Sequence, residues 1–199
     1  MVIILVSGKA ESGKDTFAEL LKAYILKKSP EKVVLTPHFA GYVKFIAKEY
    51  FGWDGNKDEA GRSLLQYVGE TARREQPTFW IDAVMDTLSI FGDGVDVAII
   101  PDCRYKNELG LFKEQESYSG NSIFSVRVTR PDYENRLTEE QRQHISEVDL
   151  DDAVFDINIS NTDIKSFALA IEHKWDWILM QEKLKQKICG VPEDETNCS

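Results

Sequence analysis

Five short apolar runs punctuate the chain, at 2–6, 33–35, 95–100, 123–128 and 155–159, and stretches of helical period fall between them. The longer runs are continuous rather than alternating, the pattern of strands buried on both faces of a sheet. The first helical stretch, 14–28, sets Phe17, Leu20, Leu21, Tyr24 and Ile25 on one side. Others lie at 43–51, 63–74 and 78–91, and the longest, 163–187, aligns Phe167, Ile171, Trp175, Ile178 and Leu179. Strands alternating with helices predict an α/β fold: three layers around a five-stranded parallel sheet with right-handed crossovers. Two segments interrupt the alternation. Residues 41–91 hold several helices and no strand, and 130–152 is polar and highly charged. A single domain over 1–188 and a flexible tail at 189–199 complete the expected organisation, with no internal repeat.

Between the first run and the first helix stands Gly8-Lys9-Ala10-Glu11-Ser12-Gly13-Lys14-Asp15-Thr16. Strand, glycine loop and helix form the context of a phosphate-binding P-loop. Gly8 and Gly13 let the backbone curl so that its N–H groups converge on phosphate oxygens. The helix N-terminus adds partial positive charge, and Lys14 adds a full one. Gly8, Ala10, Ser12, Gly13, Lys14, Asp15 and Thr16 are therefore the candidate residues for a nucleotide's phosphates. The general pattern asks for Ser or Thr directly after the lysine; here Asp15 stands there and Thr16 follows. A carboxylate is still a hard oxygen ligand for Mg²⁺. The competing reading is a glycine-rich turn before an ordinary helix, with Asp15 favouring its first turn.

Ligands of open α/β sheets bind beyond the C-terminal strand ends. There the later runs deliver Thr36-Pro37-His38-Phe39-Ala40, Pro101-Asp102-Cys103-Arg104, Thr129-Arg130-Pro131 and Ser160-Asn161-Thr162-Asp163. Phosphoryl transfer needs such a set: a phosphate cradle, an acid near a metal, and cations around the moving group. Asp102 is a candidate for the metal shell or the acceptor, or else a turn residue that starts the next helix. Arg104 can fork onto a phosphate or pair with Glu108. Arg127, Arg130, Arg136 and Arg142 form a second cationic group, of which Arg130 lies best for a mobile lid over 130–152. Within the helical insertion lie Arg62, Gln66, Arg73, Arg74 and Trp80. Gln66 carries both donor and acceptor for a base edge. Trp80 either stacks on a base or packs between helices. Lys44, shortly after Phe39 and Ala40, meets an acceptor phosphate or stays in solvent.

Composition narrows the field. A length of 199 residues suits one well-buried domain. A net charge of -10 argues against general nucleic-acid binding, which needs basic surface. It leaves small anions open, because one local basic pocket is enough for a phosphate. The apolar runs are too short to cross a membrane, and the first residues lack a signal-peptide pattern. Cys103, Cys189 and Cys198 have no metal-like spacing and fit free thiols in a reducing cytoplasm.

As an array these residues resemble the bacteriophage deoxynucleoside monophosphate kinases, within the P-loop nucleoside monophosphate kinase fold. The resemblance rests on Ser12-Gly13-Lys14-Asp15-Thr16, Phe39-Ala40 with Lys44, Leu64-Leu65-Gln66 with Gly69, and Trp80. It continues through Ile100-Pro101-Asp102-Cys103-Arg104, Val128-Thr129-Arg130-Pro131, His144-Ile145-Ser146-Glu147 and Ile157-Asn158-Ile159-Ser160-Asn161. It implies transfer of the γ-phosphoryl group of ATP to a deoxynucleoside 5′-monophosphate with Mg²⁺, and a homodimer in a host cytoplasm. Carried onto this chain, Gly13 and Lys14 hold donor phosphates, Asp15 and Thr16 serve metal and phosphates, and Asn161 lies beside the donor adenine. Arg104 contacts the acceptor phosphate, Gln66 and Trp80 shape the acceptor pocket with Phe39, Lys44 and Asp102, and Arg130 belongs to the lid.

Two other readings stay open. One is another small-molecule P-loop kinase, similar to animal-type phosphomevalonate kinase or to dephospho-coenzyme A kinase. A pocket with groups for a base favours a nucleotide, and a mainly cationic pocket favours phosphomevalonate. The other is a nucleotide-dependent binding protein. A GTPase would place Asn-Lys-x-Asp after a late strand, whereas Asn56-Lys57-Asp58-Glu59 follows only two strands.

Overall fold

The sheet grows around β1 (Val2–Ser7), whose six residues are all buried. In the computed structural model, which describes residues 1–56, 58–131 and 133–188, β1 pairs in parallel with β3 (Val97–Cys103) on one side and β4 (Ser122–Thr129) on the other. The short β2 (Val34–Leu35) and β5 (Ile157–Ser160) complete the strand order β2-β3-β1-β4-β5, parallel throughout. The expected tail at 189–199, with Cys189 and Cys198, lies outside the described residues.

Alternation along β1 assigns its side chains to two cores. Val2, Ile4 and Val6 face α1 (Lys14–Lys28) and α8 (Ile164–Ile188), where Phe17, Leu21, Phe167 and Ile171 meet them. Ile3 and Leu5 face the opposite layer with Phe39, Val43, Trp80, Ile81 and Phe112. Because helices cover both faces, neither set of positions can be polar, and the strand reads as one unbroken apolar run. Each fully buried aliphatic side chain contributes about 1.5–3 kcal/mol, so this spine holds the loop that follows it firmly.

The strandless insertion consists of α2 (Phe39–Phe51), α3 (Glu59–Glu75) and α4 (Phe79–Phe91). α2 and α3 each begin four residues before the periodicity predicts, because caps rather than apolar residues set their starts. At α3, Asp58 Oδ1 accepts the Gly61 N–H at 2.8 Å. The helix α5 (Lys106–Ser119) is absent from the periodic reading: its sequence is mostly polar, with Phe112 buried against the sheet. Two one-turn helices, α6 (Glu139–Arg142) and α7 (Ile145–Val148), lie in the charged segment before β5.

β3 runs three residues further than its apolar core. The register with β1 slips there: Leu5 faces Ile100, yet Ser7 faces Cys103. Pro101 sits in the slip, where the lack of an N–H does no harm. The irregularity delivers Asp102 to the edge of the cleft.

Candidate active site

The loop between β1 and α1 is shaped by backbone constraints. Gly13 has φ +101°, and a Cβ there would lie 2.4 Å from Asn161 Nδ2. At Gly8 a Cβ would lie 2.4 Å from the Val128 carbonyl oxygen. Both positions therefore exclude a side chain. Asn161 Nδ2 donates to the Ser12 carbonyl at 3.1 Å and ties the start of the last crossover to the loop. Lys14 is buried, and its ammonium curls over the loop to donate to the carbonyls of Gly8 at 2.8 Å and Lys9 at 2.7 Å. Burial, with the neighbouring Arg104 charge, lowers its pKa to about 8. Glu11, at the tip, has φ 60° without being glycine. Its carboxylate accepts the Tyr133 hydroxyl at 2.9 Å and the Arg136 N–H at 3.2 Å, contacts that lower its pKa.

Two cavities open on Lys14. The smaller, about 420 Å³, is lined by Gly13, Lys14, Asp15, Thr16, Arg130 and Asn161 among others. Arg130 stacks on Tyr133, its guanidinium 3.9 Å from the ring centre. The larger, about 550 Å³, runs from the loop to α3 and takes in Asp15, Phe39, Lys44, Gln66, Asp102 and Arg104. Of the expected donor residues, Gly13, Lys14, Asp15, Thr16 and Asn161 gather in the smaller cavity, whereas Gly8 and Ser12 line neither and Ala10 lines the larger; most expected acceptor residues share the larger, and Lys14 and Asp15 are common to both.

Two expectations need correction. Trp80 is only 2% exposed and packs in the core, where its indole N–H donates to the Gly69 carbonyl at 3.1 Å. It lines neither cavity, because α4 turns this face toward the sheet. The Ala10 N–H, expected to point at phosphate, donates to Glu147 Oε2 at 2.8 Å. Phe39 reaches the cleft wall, yet its ring is buried edge-on against Phe112.

Asp102 has a structural task at the cleft edge. Its oxygens accept the N–H groups of Phe39 at 3.0 Å and Ala40 at 2.8 Å, the start of α2. The side chain of His38, the residue before α2, accepts none of the helix's first N–H groups. Instead its Nδ1 lies 2.9 Å from the Thr36 carbonyl and its Nε2 lies 3.8 Å from Asp15 Oδ1. The Asp15 carboxylate raises the pKa of His38, and His38 lowers that of Asp15.

The cationic groups divide by partner. Arg104 Nη1 donates to the Ser146 carbonyl at 3.2 Å and pairs with Glu147. The Arg104–Glu108 pair takes another form: Glu108 Oε2 accepts the Arg104 backbone N–H at 2.7 Å. Buried Glu108 also lies 3.4 Å from Arg73, and burial raises its pKa to about 7. Arg73 in turn lies 4.2 Å over the Tyr105 ring, on the cleft wall. Arg127 is committed to Ser7 Oγ and Asp151, both at 2.9 Å, and Arg142 to Asn135. Arg136 lines the larger cavity.

Glu70, Tyr105 and Glu147 escape the sequence reading as site residues. A signal for Glu70 exists, since Arg62, Gln66, Glu70 and Arg73 recur on one face of a helix. Glu147 sits in a marked motif, but its partner Ala10 lies 137 positions away.

A parallel sheet in the order β2-β3-β1-β4-β5, a glycine loop with its lysine at the start of α1, and a second cavity beside it define a small-molecule P-loop kinase. The phosphomevalonate kinase family model matches residues 6–118, more than half of the chain. The chain belongs to the phosphomevalonate kinase family.

Among solved structures, the APS kinase CysC of Mycobacterium tuberculosis in complex with AMPPNP and APS is 12% identical. The match covers 92% of this chain and 97% of that one at a TM-score of 0.46. A gluconokinase from Sinorhizobium meliloti 1021 is 16% identical, over 91% and 97%, at 0.45. Likenesses of this order add nothing about substrate. No curated protein matches the sequence.

Proposed function

We propose that the protein transfers the γ-phosphoryl group of ATP to a deoxynucleoside 5′-monophosphate. The observation that carries this reading is the charge balance of the larger cavity. Its lining sets six cations (Lys14, Lys44, Arg62, Arg73, Arg104 and Arg136) against six acids (Glu11, Asp15, Glu70, Asp102, Glu147 and Glu108, the last with its pKa raised to about 7), with His38 and His144 beside them. Such a wall suits one phosphate attached to a neutral ring better than a substrate charged at both ends. Gln66 offers paired donor and acceptor for the ring's edge. The stacked Arg73–Tyr105 pair offers the flat surface once expected of Trp80.

In this reading an oxygen of the acceptor phosphate attacks the γ-phosphorus, the bond to the ADP oxygen breaks, and the protein forms no covalent intermediate. The catalytic work is positioning and charge neutralisation. Lys14 and the loop amides hold the donor phosphates. Arg104 takes the acceptor phosphate, and Arg130 and Arg136 close over the transfer to exclude water. Asn161 and Thr16 complete the donor side.

The reading includes Mg²⁺, which would supply charge neutralisation at the donor phosphates. A nucleotide-held Mg²⁺ needs only one or two protein carboxylates. Asp15 fits, being exposed at the start of α1 beside Thr16. Asp102 fits less well, with both oxygens engaged at α2.

The family match favours a second reading, in which phosphomevalonate is the acceptor. ADP release from Mg-ATP, measured against dTMP, dGMP, dCMP, dAMP, ribonucleotides, phosphomevalonate and dephospho-coenzyme A, separates the two. Turnover with a deoxynucleotide is the expected result. Turnover with phosphomevalonate alone would transfer the acceptor assignment to the second reading and release Gln66 from base recognition.

A further inference from the structure

The segment from His144 to Glu147 touches three walls of the cleft at once. His144 Nε2 lies 2.8 Å from Glu70 Oε1 on α3. The Ser146 carbonyl accepts from Arg104 Nη1 at 3.2 Å. The Glu147 carboxylate is shared, Oε1 pairing with Arg104 and Oε2 accepting the Ala10 N–H at 2.8 Å.

The Glu147 side chain is only 7% exposed. A buried carboxylate is costly unless paired and hydrogen-bonded, and both partners here are groups of the kind that bind phosphate. One belongs to the P-loop and the other stands at the end of β3. The segment is itself held in place. Lys9 Nζ donates to the Glu147 carbonyl at 2.6 Å, and the Lys106 N–H donates to Asp149 Oδ2 at 2.7 Å.

We propose that Glu147 is a positioning residue for phosphoryl transfer, a brace that holds Arg104 against the P-loop. The donor-side loop and the acceptor-side arginine thereby share one rigid support. This rests on the assignment of Arg104 to the acceptor phosphate. Without the carboxylate, the Arg104 guanidinium keeps, among the described residues, the Ser146 carbonyl alone and can swing about it. A misplacement of about 1 Å at a reacting group costs about 100-fold in rate.

The test compares wild type with Glu147→Ala, Glu147→Gln, Arg104→Ala and the Arg104→Ala/Glu147→Ala double variant. Glu147→Ala should lower kcat about 100-fold and leave the donor KM within about threefold. Glu147→Gln, which keeps an acceptor oxygen without the charge, should recover part of that loss and guards against misfolding of the alanine variant. In the Arg104→Ala background, removing Glu147 should cost less than about threefold. An unchanged kcat in Glu147→Ala, or an undiminished loss in the Arg104→Ala background, overturns the proposal. Amide and guanidinium exchange measured by ¹⁵N NMR without substrate supplies a second arm. The Ala10 N–H and the Arg104 guanidinium protons should be protected in wild type and lose protection in Glu147→Ala. Their exposure in wild type overturns the brace. Because this arm needs no acceptor, absent turnover with every acceptor would count against the substrate reading alone.

Discussion

The two cavities that meet at Lys14 are built from different materials. The donor side is a backbone structure: nine consecutive residues, two of them glycines with no room for a Cβ, fixed to the most buried strand of the sheet. The acceptor side is a side-chain structure, assembled from α2, α3, the end of β3 and the segment around α7. A backbone cradle is indifferent to most neighbouring side chains but intolerant of added bulk at its glycines. A side-chain wall tolerates backbone change and can be retuned one residue at a time. One scaffold can therefore keep a fixed phosphate donor while its acceptor varies.

The sharpest way to break this contrast is Lys14→Ala, which removes the positive charge that both cavities share. Turnover should fall about 10²–10³-fold, the cost of losing a preorganised charge-stabilising group, with the fold intact by circular dichroism. Full activity would sink the P-loop assignment. Arg104→Ala should weaken acceptor use by about 10–100-fold, the worth of a charged hydrogen bond, and leave calorimetric binding of an ATP analogue nearly unchanged. Equal losses on both sides would refute its place on the acceptor wall.

Gly13→Ala against Gly69→Ala compares the two materials directly. The first should cost about 1–3 kcal/mol in urea melts through backbone strain and weaken donor binding. At Gly69 the nearest atom to a new Cβ is the movable end of Arg73, at 3.2 Å. Alanine there should stay within about 1 kcal/mol of wild type, since helix propensity offsets the crowding. Trp80→Phe should lower stability by about 1–2 kcal/mol by removing the buried indole hydrogen bond to the Gly69 carbonyl and leave the acceptor KM unchanged. A large KM shift would restore the tryptophan to the pocket.

The smallest effect is one of pH. Lys14 titrates near 8 in the folded protein against 10.5 for a free lysine, so between those values the unfolded chain holds the extra proton. The penalty for burying the charge is complete below about 8 and disappears as pH rises through 10.5. Lys14→Met should therefore be the more stable protein at pH 7, by about 1 kcal/mol, and lose that advantage by pH 10.5.

The same difference in materials decided what could be read from the chain. The donor loop is local, and the bounds of α1 follow from Gly13 and the apolar stripe that begins at Phe17. The acceptor wall is not local. α4 is apolar on nearly every side, so its periodicity does not say which face Trp80 presents to the sheet. Tyr105, an aromatic that does line the cleft, caps a mostly polar helix and carries no periodic signal. The carboxylate of Glu147 belongs to the site only through contacts that span 43 and 137 positions.

The cap of α2 carries a consequence for the order of folding. The helix has no side-chain cap of its own; its first amides are satisfied by Asp102, more than 60 positions later in the chain. Its first turn therefore gains its partner only after β3 has docked on β1, a long loop having closed first. The centre of the sheet and the donor loop can consolidate early, and the acceptor wall must follow. On the ribosome, that wall stays unfinished until the chain has emerged past Asp102.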